Sequence, residues 1–233
     1  AYVRYVPTPL GDRQRGGTRY KKVYSLRDRE RLLETRYPQY LYYDPVFGRR
    51  LEGVSIQDVA VHYKPVEKLL NLLRKEERDQ VEREALDFAQ CLSDSSDIPL
   101  EEMGLSGSIL VGLQASESDI DLIVYGRRSA ITVHDILKSL LRERRGPIAA
   151  YDLKDLKKLY RFRVRDTRIS FEDFVRMERR KVMQGKFAGR DFFIRFVLDW
   201  SDIDENYGDR SYTSPGRATV HAMIQDDSNA IFT

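Results

Sequence analysis

The chain has 233 residues, of which 41% are hydrophobic and 33% are charged, so it can bury a core and is neither a disordered tail nor an integral membrane protein. The formal net charge of +3 hides an asymmetry, because residues 127–195 carry 20 Lys and Arg against 9 Asp and Glu, whereas the remainder carries 20 against 28. The single cysteine, Cys91, excludes a disulfide scaffold and a cysteine-based zinc cluster, and it predicts a cytoplasmic protein.

Residues 1–96 are expected to form an N-terminal α/β region. Alternating residues and turn-forming glycines in 1–24 predict short strands around a loop. Ser25 is expected to cap a helix that Pro38 stops. The apolar stripe of 65–92 predicts one long helix, or two helices joined in the charged stretch RKEERDQ.

Residues 97–200 have a strand–turn–helix–strand pattern at their start, with the strand Ile120–Tyr125 the strongest signal. Further helices are expected at about 130–145, 152–160 and 170–184, followed by a strand that begins at Asp191. Residues 201–233 are expected to form a C-terminal β segment from the runs RATVHAMI and NAIFT, the second of which is expected to be incomplete. The predicted fold class is α+β.

Two acidic residues interrupt the strand sequence SDIDLIVY. Because side chains alternate along a strand, Asp119 and Asp121 point to one face while Ile120 and Leu122 point to the other. Two neighbouring carboxylates repel each other unless a cation lies between them, and Mg²⁺ prefers such oxygen ligands. The pair therefore predicts a magnesium site.

A glycine–serine pair, Gly107-Ser108, precedes these acids at the junction of a short strand and a helix. Glycine lets a phosphate approach the backbone, and a helix N-terminus presents free N–H groups. A phosphate-binding turn and a metal site are therefore predicted within fifteen residues of each other. For Ser108 alone, a helix cap without a ligand is the competing interpretation.

Gly107-Ser108, ten residues, and then Asp119-Ile120-Asp121-Leu122 resembles the signature of the DNA polymerase β-like nucleotidyltransferase superfamily. The wider context, SGSILVGLQASESDIDLIVYG with a later GRDFFIRFV, is similar to an archaeal group of predicted nucleotidyltransferases. The resemblance implies a small mixed sheet with helices on one side, flanked by the other two segments. It also implies two Mg²⁺ ions held by Asp119 and Asp121, with Gly107 and Ser108 on the phosphates of a nucleoside triphosphate.

The activity implied by the resemblance is transfer of a nucleoside monophosphate to an acceptor hydroxyl, with release of pyrophosphate. Enzymes of this superfamily use a third carboxylate from a later strand. Alternation places both Asp191 and Asp199 on one strand face, so the residues themselves leave the choice open. Asp191 is favoured as the third catalytic and metal-binding residue because its context is more similar to the superfamily pattern.

The basic segment 127–195 predicts a surface for an RNA or DNA acceptor, whose phosphates dominate affinity. The arginines of YRFRVR alternate and are expected to share a strand face with one another, and further cations follow; the set is Arg161, Arg163, Arg165, Arg179, Arg180, Lys181, Lys186 and Arg190. Solvated helix faces are the alternative for each of them. For the whole chain, the alternatives are a non-catalytic nucleotide- or nucleic-acid-binding module, or the nucleotidyltransferase of a toxin–antitoxin pair.

Overall fold

A computed structural model describes residues 3–143, 146–164, 168–214 and 216–232. Contacts divide the chain into two compact units. Unit 1 comprises residues 1–62 and 203–230, and unit 2 comprises residues 63–202 and 231–233. These divisions differ from the boundaries expected at 96 and 201, because the helices between 65 and 96 belong to the unit that contains the large sheet.

Unit 1 begins with a three-stranded antiparallel sheet in the order β1-β3-β2, formed by Tyr5–Pro7 (β1), Arg13–Arg15 (β2) and Thr18–Lys22 (β3). Helix α1 (Leu26–Arg36) follows, and its Asp28 N–H donates to the Ser25 hydroxyl at 3.2 Å, which confirms the predicted cap. A 3₁₀ turn begins at Pro38, and β4 (Leu41–Asp44) pairs with β5 (Arg49–Glu52) as a hairpin. The predicted short strands and the first helix are therefore present.

The second stretch of unit 1, residues 203–230, packs on the β4–β5 hairpin. The Tyr207 hydroxyl donates to both oxygens of the buried Asp44 carboxylate, at 3.1 and 3.0 Å. The Tyr212 N–H donates to the Val46 carbonyl at 2.6 Å, and the Tyr212 ring stacks on Phe47 with centroids 5.3 Å apart. Hydrogen bonds and ring contacts therefore join the two sequence stretches of this unit.

The expected C-terminal β segment of 201–233 is wrong. Among the described residues of this range, RATVHAMI forms no strand, and NAIFT contributes only an isolated bridge between Phe232 and Phe196. Alternation between apolar and polar residues favoured strands, but no partner strand lies beside RATVHAMI, and Val220, Met223 and Ile224 are exposed.

Among its described residues, unit 2 contains six α-helices and a five-stranded sheet in the order β6-β7-β10-β9-β8. The strands β7 and β10 pair in parallel, and the other neighbours pair antiparallel, so the sheet is mixed and the fold is α+β, as predicted. The helices are α2 (Pro65–Arg74), α3 (Gln80–Ser96), α4 (Gly107–Leu110), α5 (Arg127–Glu143), α6 (Leu153–Arg163) and α7 (Phe171–Glu178). The strands are β6 (Met103–Leu105), β7 (Ile120–Tyr125), β8 (Ile148–Ala149), β9 (Gln184–Phe187) and β10 (Arg190–Val197).

The core of unit 2 lies between the sheet and the apolar stripes of α2, α3 and α5. Phe88 of α3 packs against Phe187 and Phe192, with ring centroids 5.1 and 4.6 Å apart. Phe192, Ile194 and Phe196 are all buried, so β10 has the alternation that its sequence predicts. Two helices, not one, cover residues 65–96, because the charged stretch between them has no apolar stripe to bury.

Residues 161–163 close the helix α6 and do not form the expected strand of YRFRVR; Arg165 lies outside the described residues. Asp152 and Asp155 form a capping box at the start of this helix, which fixes a helical period for the residues that follow. Helix α7 also ends at Glu178, earlier than the expected 184. No helix in the described ranges combines the length and apolar character that crossing a bilayer requires.

Candidate active site

The candidate site lies at the start of two neighbouring parallel strands, β7 and β10. Their register pairs Phe192 with Ile120 and Phe193 with Asp121. Because Phe192 and Ile120 are buried in the core, Asp121 faces the opposite side of the sheet. Asp119 lies two residues before Asp121, and Asp191 lies two residues before Phe193. Alternation and register therefore bring all three aspartates to the same face and edge of the sheet.

Gly107 lies directly against one of these carboxylates. It has a φ of +62°, and a Cβ atom added to it would lie 2.0 Å from Oδ2 of Asp121. The backbone is joined to the strand at the same point, because the Ser106 N–H donates to the Asp121 carbonyl at 2.8 Å. Ser108 follows as a buried residue. The glycine–serine turn and the acidic strand are therefore in contact, and only a glycine leaves room for the carboxylate.

Asp191 has a cationic neighbour supplied by the adjacent antiparallel strand. Lys186 lies opposite Asp191 in the β9–β10 register, and its Nζ is 3.0 Å from Oδ1 of Asp191. The same ammonium lies 3.2 Å from Oδ1 of Asp155, in the first turn of α6. Burial lowers the pKa of Lys186, but hydrogen bonds to the two carboxylates outweigh it and raise the pKa overall. Lys186 thus neutralises part of the acidic edge.

Sequence reasoning missed this bridge, although one signal was available. Ala188 and Gly189 have φ of +48° and +90° and connect β9 to β10 as a two-residue turn. Reading the dipeptide as a hairpin turn places Lys186 opposite Asp191. The link to Asp155 has no comparable signal, since it depends on where α6 packs.

Tyr151 connects the acids of the two strands. Burial raises the pKa of its phenol, and the charges of Asp191 and Asp119 raise it further, so both carboxylates act on one ring. A pocket of about 220 Å³ lies beside them, lined by Tyr151, Asp155, Lys158, Leu159, Phe162 and Asp191. Sequence reasoning did not select Tyr151 or Asp155, because each stands alone in a polar stretch.

Arg190 holds the loop that leads into the acidic strand. Its Nη1 donates to the carbonyls of Ser116 and Ser118 at 2.8 and 2.7 Å, and its Nε pairs with Glu84 of α3. Burial opposes ionisation of Glu84, but Arg190 lowers the pKa of this carboxyl overall. Arg190 therefore positions the residues just before Asp119. It is an anchor of the loop and not a free surface cation.

Asp199, the alternative third carboxylate, lies at the opposite end of β10. Its Oδ2 would lie 3.0 Å from a Cβ added to Gly126, which follows the last residue of β7. Its charge also raises the pKa of Tyr125, after the larger effect of burial. The six-residue step from Asp191 to Val197 spans about 20 Å. The structure therefore brings Asp191, and not Asp199, to the edge that holds Asp119 and Asp121.

The donor set at this edge suits a hard cation, since it consists of carboxylate oxygens with a glycine-bounded cradle beside Asp121. The side chains are not assembled as a ready metal cage. In the described ranges, no group of three or more His, Cys, Asp or Glu residues stands close enough to hold an ion. Lys186 lies beside Asp191 and supplies the nearest positive charge there.

Several cations of the basic segment are paired within unit 2. Arg163 and Lys181 lie 2.9 and 2.6 Å from the buried Glu178 carboxylate, while Lys186 and Arg190 bind the acids described above. The exposed Arg161, Arg179 and Arg180 make no ion pair with a described residue. Ion pairs therefore engage four of the eight cations named for the RNA or DNA surface, and that surface stays a prediction.

Comparison with known proteins gives one relative at low identity. The chain is 28% identical over 239 aligned positions to the uncharacterized protein MJ1086 of Methanocaldococcus jannaschii, covering 99% of this chain and 69% of that protein. No family model matches the chain, and no solved structure matches it. The similarity indicates an archaeal relative that retains nearly the whole length of both units.

Proposed function

We propose that the chain is a Mg²⁺-dependent nucleotidyltransferase whose unit 2 has a polymerase β-like catalytic fold. The observation that carries the proposal is the contact between Gly107 and the Asp121 carboxylate, with Asp119 and Asp191 on the same face of the neighbouring strand ends. This arrangement joins the glycine–serine turn to three acids, which is the combination that the sequence resemblance implies. A lone glycine–serine pair or a lone pair of acids would support no such proposal.

In the proposed reaction, the oxygen of an acceptor hydroxyl attacks the α-phosphorus of a nucleoside triphosphate. A new P–O bond forms, the bond from the α-phosphorus to the bridging oxygen breaks, and pyrophosphate leaves. Asp191 accepts the hydroxyl proton, while the backbone of Gly107 and the hydroxyl of Ser108 hold the β- and γ-phosphates. Two Mg²⁺ ions, held by Asp119, Asp121 and Asp191, would supply Lewis-acid neutralisation of the phosphate charge.

Lys186 has a specific part in this proposal. Before the substrate binds, it offsets the charge of Asp155 and Asp191, so the acidic edge does not carry uncompensated repulsion. When the triphosphate enters, the ammonium can turn toward the incoming phosphate oxygens. Arg190 keeps the 116–118 loop in place and so orients Asp119. Most of the rate enhancement would come from such positioning and from charge neutralisation.

A thermal-shift titration with each of the four nucleoside triphosphates, with and without Mg²⁺, tests the proposal. A nucleotide at 100 times its dissociation constant should add about 2.7 kcal/mol of stability. The shift should require Mg²⁺, favour particular bases, and disappear in Asp119→Asn/Asp121→Asn. If none of the four nucleotides gave a Mg²⁺-dependent thermal shift, the enzyme proposal would be wrong.

The two ends of β10 supply a matched pair of variants for turnover. Asp191→Asn should reduce pyrophosphate release from the preferred nucleotide by at least about 100-fold, since it removes a proton acceptor and a metal ligand together. Asp199→Asn removes the same charge from the far end and should leave the rate within about twofold. Equal losses in the two variants would remove Asp191 from the proposed site.

Gly107→Ala tests the contact that carries the proposal. The new Cβ would overlap Oδ2 of Asp121, and we expect a loss of at least half of the Mg²⁺-dependent nucleotide shift. Gly16→Ala is the control, because Gly16 has a similar φ of +52° with open space around it. Both variants carry backbone strain of about 1 kcal/mol, so a difference between them reports the lost carboxylate position. An unchanged nucleotide shift in Gly107→Ala would contradict the assignment.

A non-catalytic nucleotide-binding module is the second candidate. It is favoured by the ion pair between Lys186 and Asp191 and by the lack of a preassembled three-ligand cage in the described residues. Such a module would give a nucleotide-dependent thermal shift without releasing pyrophosphate in the presence of RNA, DNA or protein acceptors.

A further inference from the structure

A groove in unit 1 has a different chemical character from the acidic edge of unit 2. It lies between the strands β1 and β3 and the helix α1, and it has a volume of about 540 Å³. One side of the groove is a helical face, because the lining residues of α1 follow the spacing i, i+3, i+4, i+7 and i+8. These residues are Asp28, Arg31, Leu32, Thr35 and Arg36.

The opposite face of α1 holds the helix in unit 1. Arg29 and Leu33 are 4% and 1% exposed, so they form the buried side. The groove-facing arginines are therefore not needed to attach the helix to its sheet. Their exposure leaves them available for a ligand.

Four cations line the groove against a single acid among the described lining residues: Lys21, Lys22, Arg31 and Arg36 against Asp28. Lys21, Arg31 and Arg36 are exposed and make no ion pair with any residue that the structure describes. The surrounding sequence adds to this charge, because residues 4–36 contain 10 Lys and Arg against 4 Asp and Glu. An uncompensated basic groove of this kind attracts a polyanion.

Tyr24 adds a flat aromatic surface to the same groove. Its side chain is 57% exposed, and the Lys22 ammonium lies 5.1 Å from the centre of its ring. Thr8, Ser25 and Thr35 also line the groove. An aromatic ring beside cations is the arrangement that binds unstacked bases next to a phosphate backbone. An acidic peptide would use the cations but would have no flat base to place on the ring.

We propose that this groove binds single-stranded nucleic acid, with phosphates on Lys21, Arg31 and Arg36 and a base stacked on Tyr24. A duplex is disfavoured as the ligand because its bases are stacked on one another and cannot cover the tyrosine ring. The proposal goes beyond the nucleotidyltransferase proposal and does not depend on it. It assigns the nucleic-acid surface to unit 1, away from the basic segment 127–195 that the sequence predicted.

The test is fluorescence anisotropy of labelled 12-nucleotide oligo(U) and oligo(dT) with the full chain, over a series of salt concentrations. The groove variant is Lys21→Gln/Arg31→Gln/Arg36→Gln. The control variant is Arg161→Gln/Arg179→Gln/Arg180→Gln, which also loses three exposed positive charges, but from unit 2. We expect at least a tenfold loss of affinity in the groove variant and a salt slope smaller by about 2. The control variant should bind within about twofold of the unchanged chain.

Tyr24→Ala separates base stacking from general attraction between charges. It should weaken binding about tenfold while leaving the salt slope unchanged, because the ring contributes stacking and not charge. A preference between the two oligonucleotides would tell whether the ribose hydroxyl is recognised. A poly-glutamate peptide of equal charge and a duplex of equal length complete the set and should bind at least tenfold more weakly.

Three outcomes would overturn the proposal. They are equal losses in the two triple variants, equal affinity for the peptide and the oligonucleotides, or no effect of Tyr24→Ala. Circular dichroism and thermal unfolding of each variant exclude loss of fold as the cause. The Mg²⁺-dependent nucleotide shift of unit 2 should persist in the groove variant, so failure of one proposal is distinguishable from failure of the other.

Discussion

Two stretches of this chain are rich in lysine and arginine, and they use these side chains differently. In unit 2, Arg163 and Lys181 surround one buried carboxylate, and Arg190 is bound to Glu84 and two carbonyls. In unit 1, Lys21 and Arg31 line an open groove and have no carboxylate partner among the described residues. A count of charges along the sequence favours the first stretch as a polyanion surface, whereas the groove with its unpaired cations and exposed Tyr24 favours the second.

Removing two cations from each stretch tests most directly whether the two sets of cations have different roles. Arg163→Gln/Lys181→Gln leaves the Glu178 carboxylate, whose side chain is 1% exposed, without its cations, and should cost about 3 kcal/mol of unfolding free energy. Its affinity for oligo(U) should stay within about twofold. Lys21→Gln/Arg31→Gln should have the opposite effects. Its unfolding free energy should stay within about 0.5 kcal/mol of the unchanged chain, and its affinity for oligo(U) should fall clearly. Urea unfolding and anisotropy on the same preparations measure both effects.

Similar stability losses in the two double variants would show that the groove cations are also structural. Similar affinity losses would show that paired cations still attract nucleic acid. Either result would remove the distinction between the two stretches.

Removing the shared acid is a milder test of the same cluster. Glu178→Gln should cost about 2 kcal/mol, less than the loss of the cations, because Arg163 and Lys181 are 37% and 38% exposed and can be rehydrated. The two released cations should also raise oligo(U) affinity slightly at low salt. The control is Glu76→Gln, an exposed acid that makes no ion pair with a described residue, and it should change stability by less than about 0.5 kcal/mol. A loss equal to that of the control would mean that the cluster contributes nothing measurable.

The smallest expected effect is a pH dependence at the Arg190 anchor. Burial raises the pKa of Glu84, but the hydrogen bond and charge of Arg190 lower it by more. The net pKa therefore lies below the ordinary value of 4.5. A lowered folded pKa means that the pair stabilises the chain above about pH 4.5 and that this contribution disappears as the pH falls through the folded pKa.

Glu84→Gln should therefore cost about 1 kcal/mol at pH 7 and less at pH 3. Urea unfolding at the two pH values gives the difference between the variant and the unchanged chain. A difference that stays constant between pH 7 and pH 3 would contradict the pairing as the source of stability.

The elements that sequence predicted well are those with one dominant signal. The strand Ile120–Tyr125 is an apolar run interrupted by Asp121, and its bounds agree with the structure. Helix α1 has both a capping serine and a stopping proline, and it begins and ends next to them. The strand after Arg190 alternates cleanly, so its buried and exposed faces were predictable. In each case, local chemistry and tertiary burial favour the same conformation.

The strand predictions that were wrong concern residues whose local pattern found no neighbouring strand or was overridden by a stronger helix signal. The arginines of YRFRVR alternate as in a strand, but the capping box at Asp152 starts a helix at Leu153 that continues to Arg163. The run RATVHAMI has strand-forming residues but lies beside no strand. The choice between Asp191 and Asp199 was open for a related reason, since both share a strand face and only the register against β7 separates them.

The contacts of Tyr207 and Tyr212 with residues 44–47 have a consequence for synthesis on the ribosome. Residues 1–62 are synthesised before their partner stretch 203–230. The large sheet of unit 2 can form in the interval, because its strands all lie between 103 and 197. Unit 1 therefore completes its fold only after residues 203–230 have been synthesised, and residues 1–62 remain open to chaperones or to an early ligand until then.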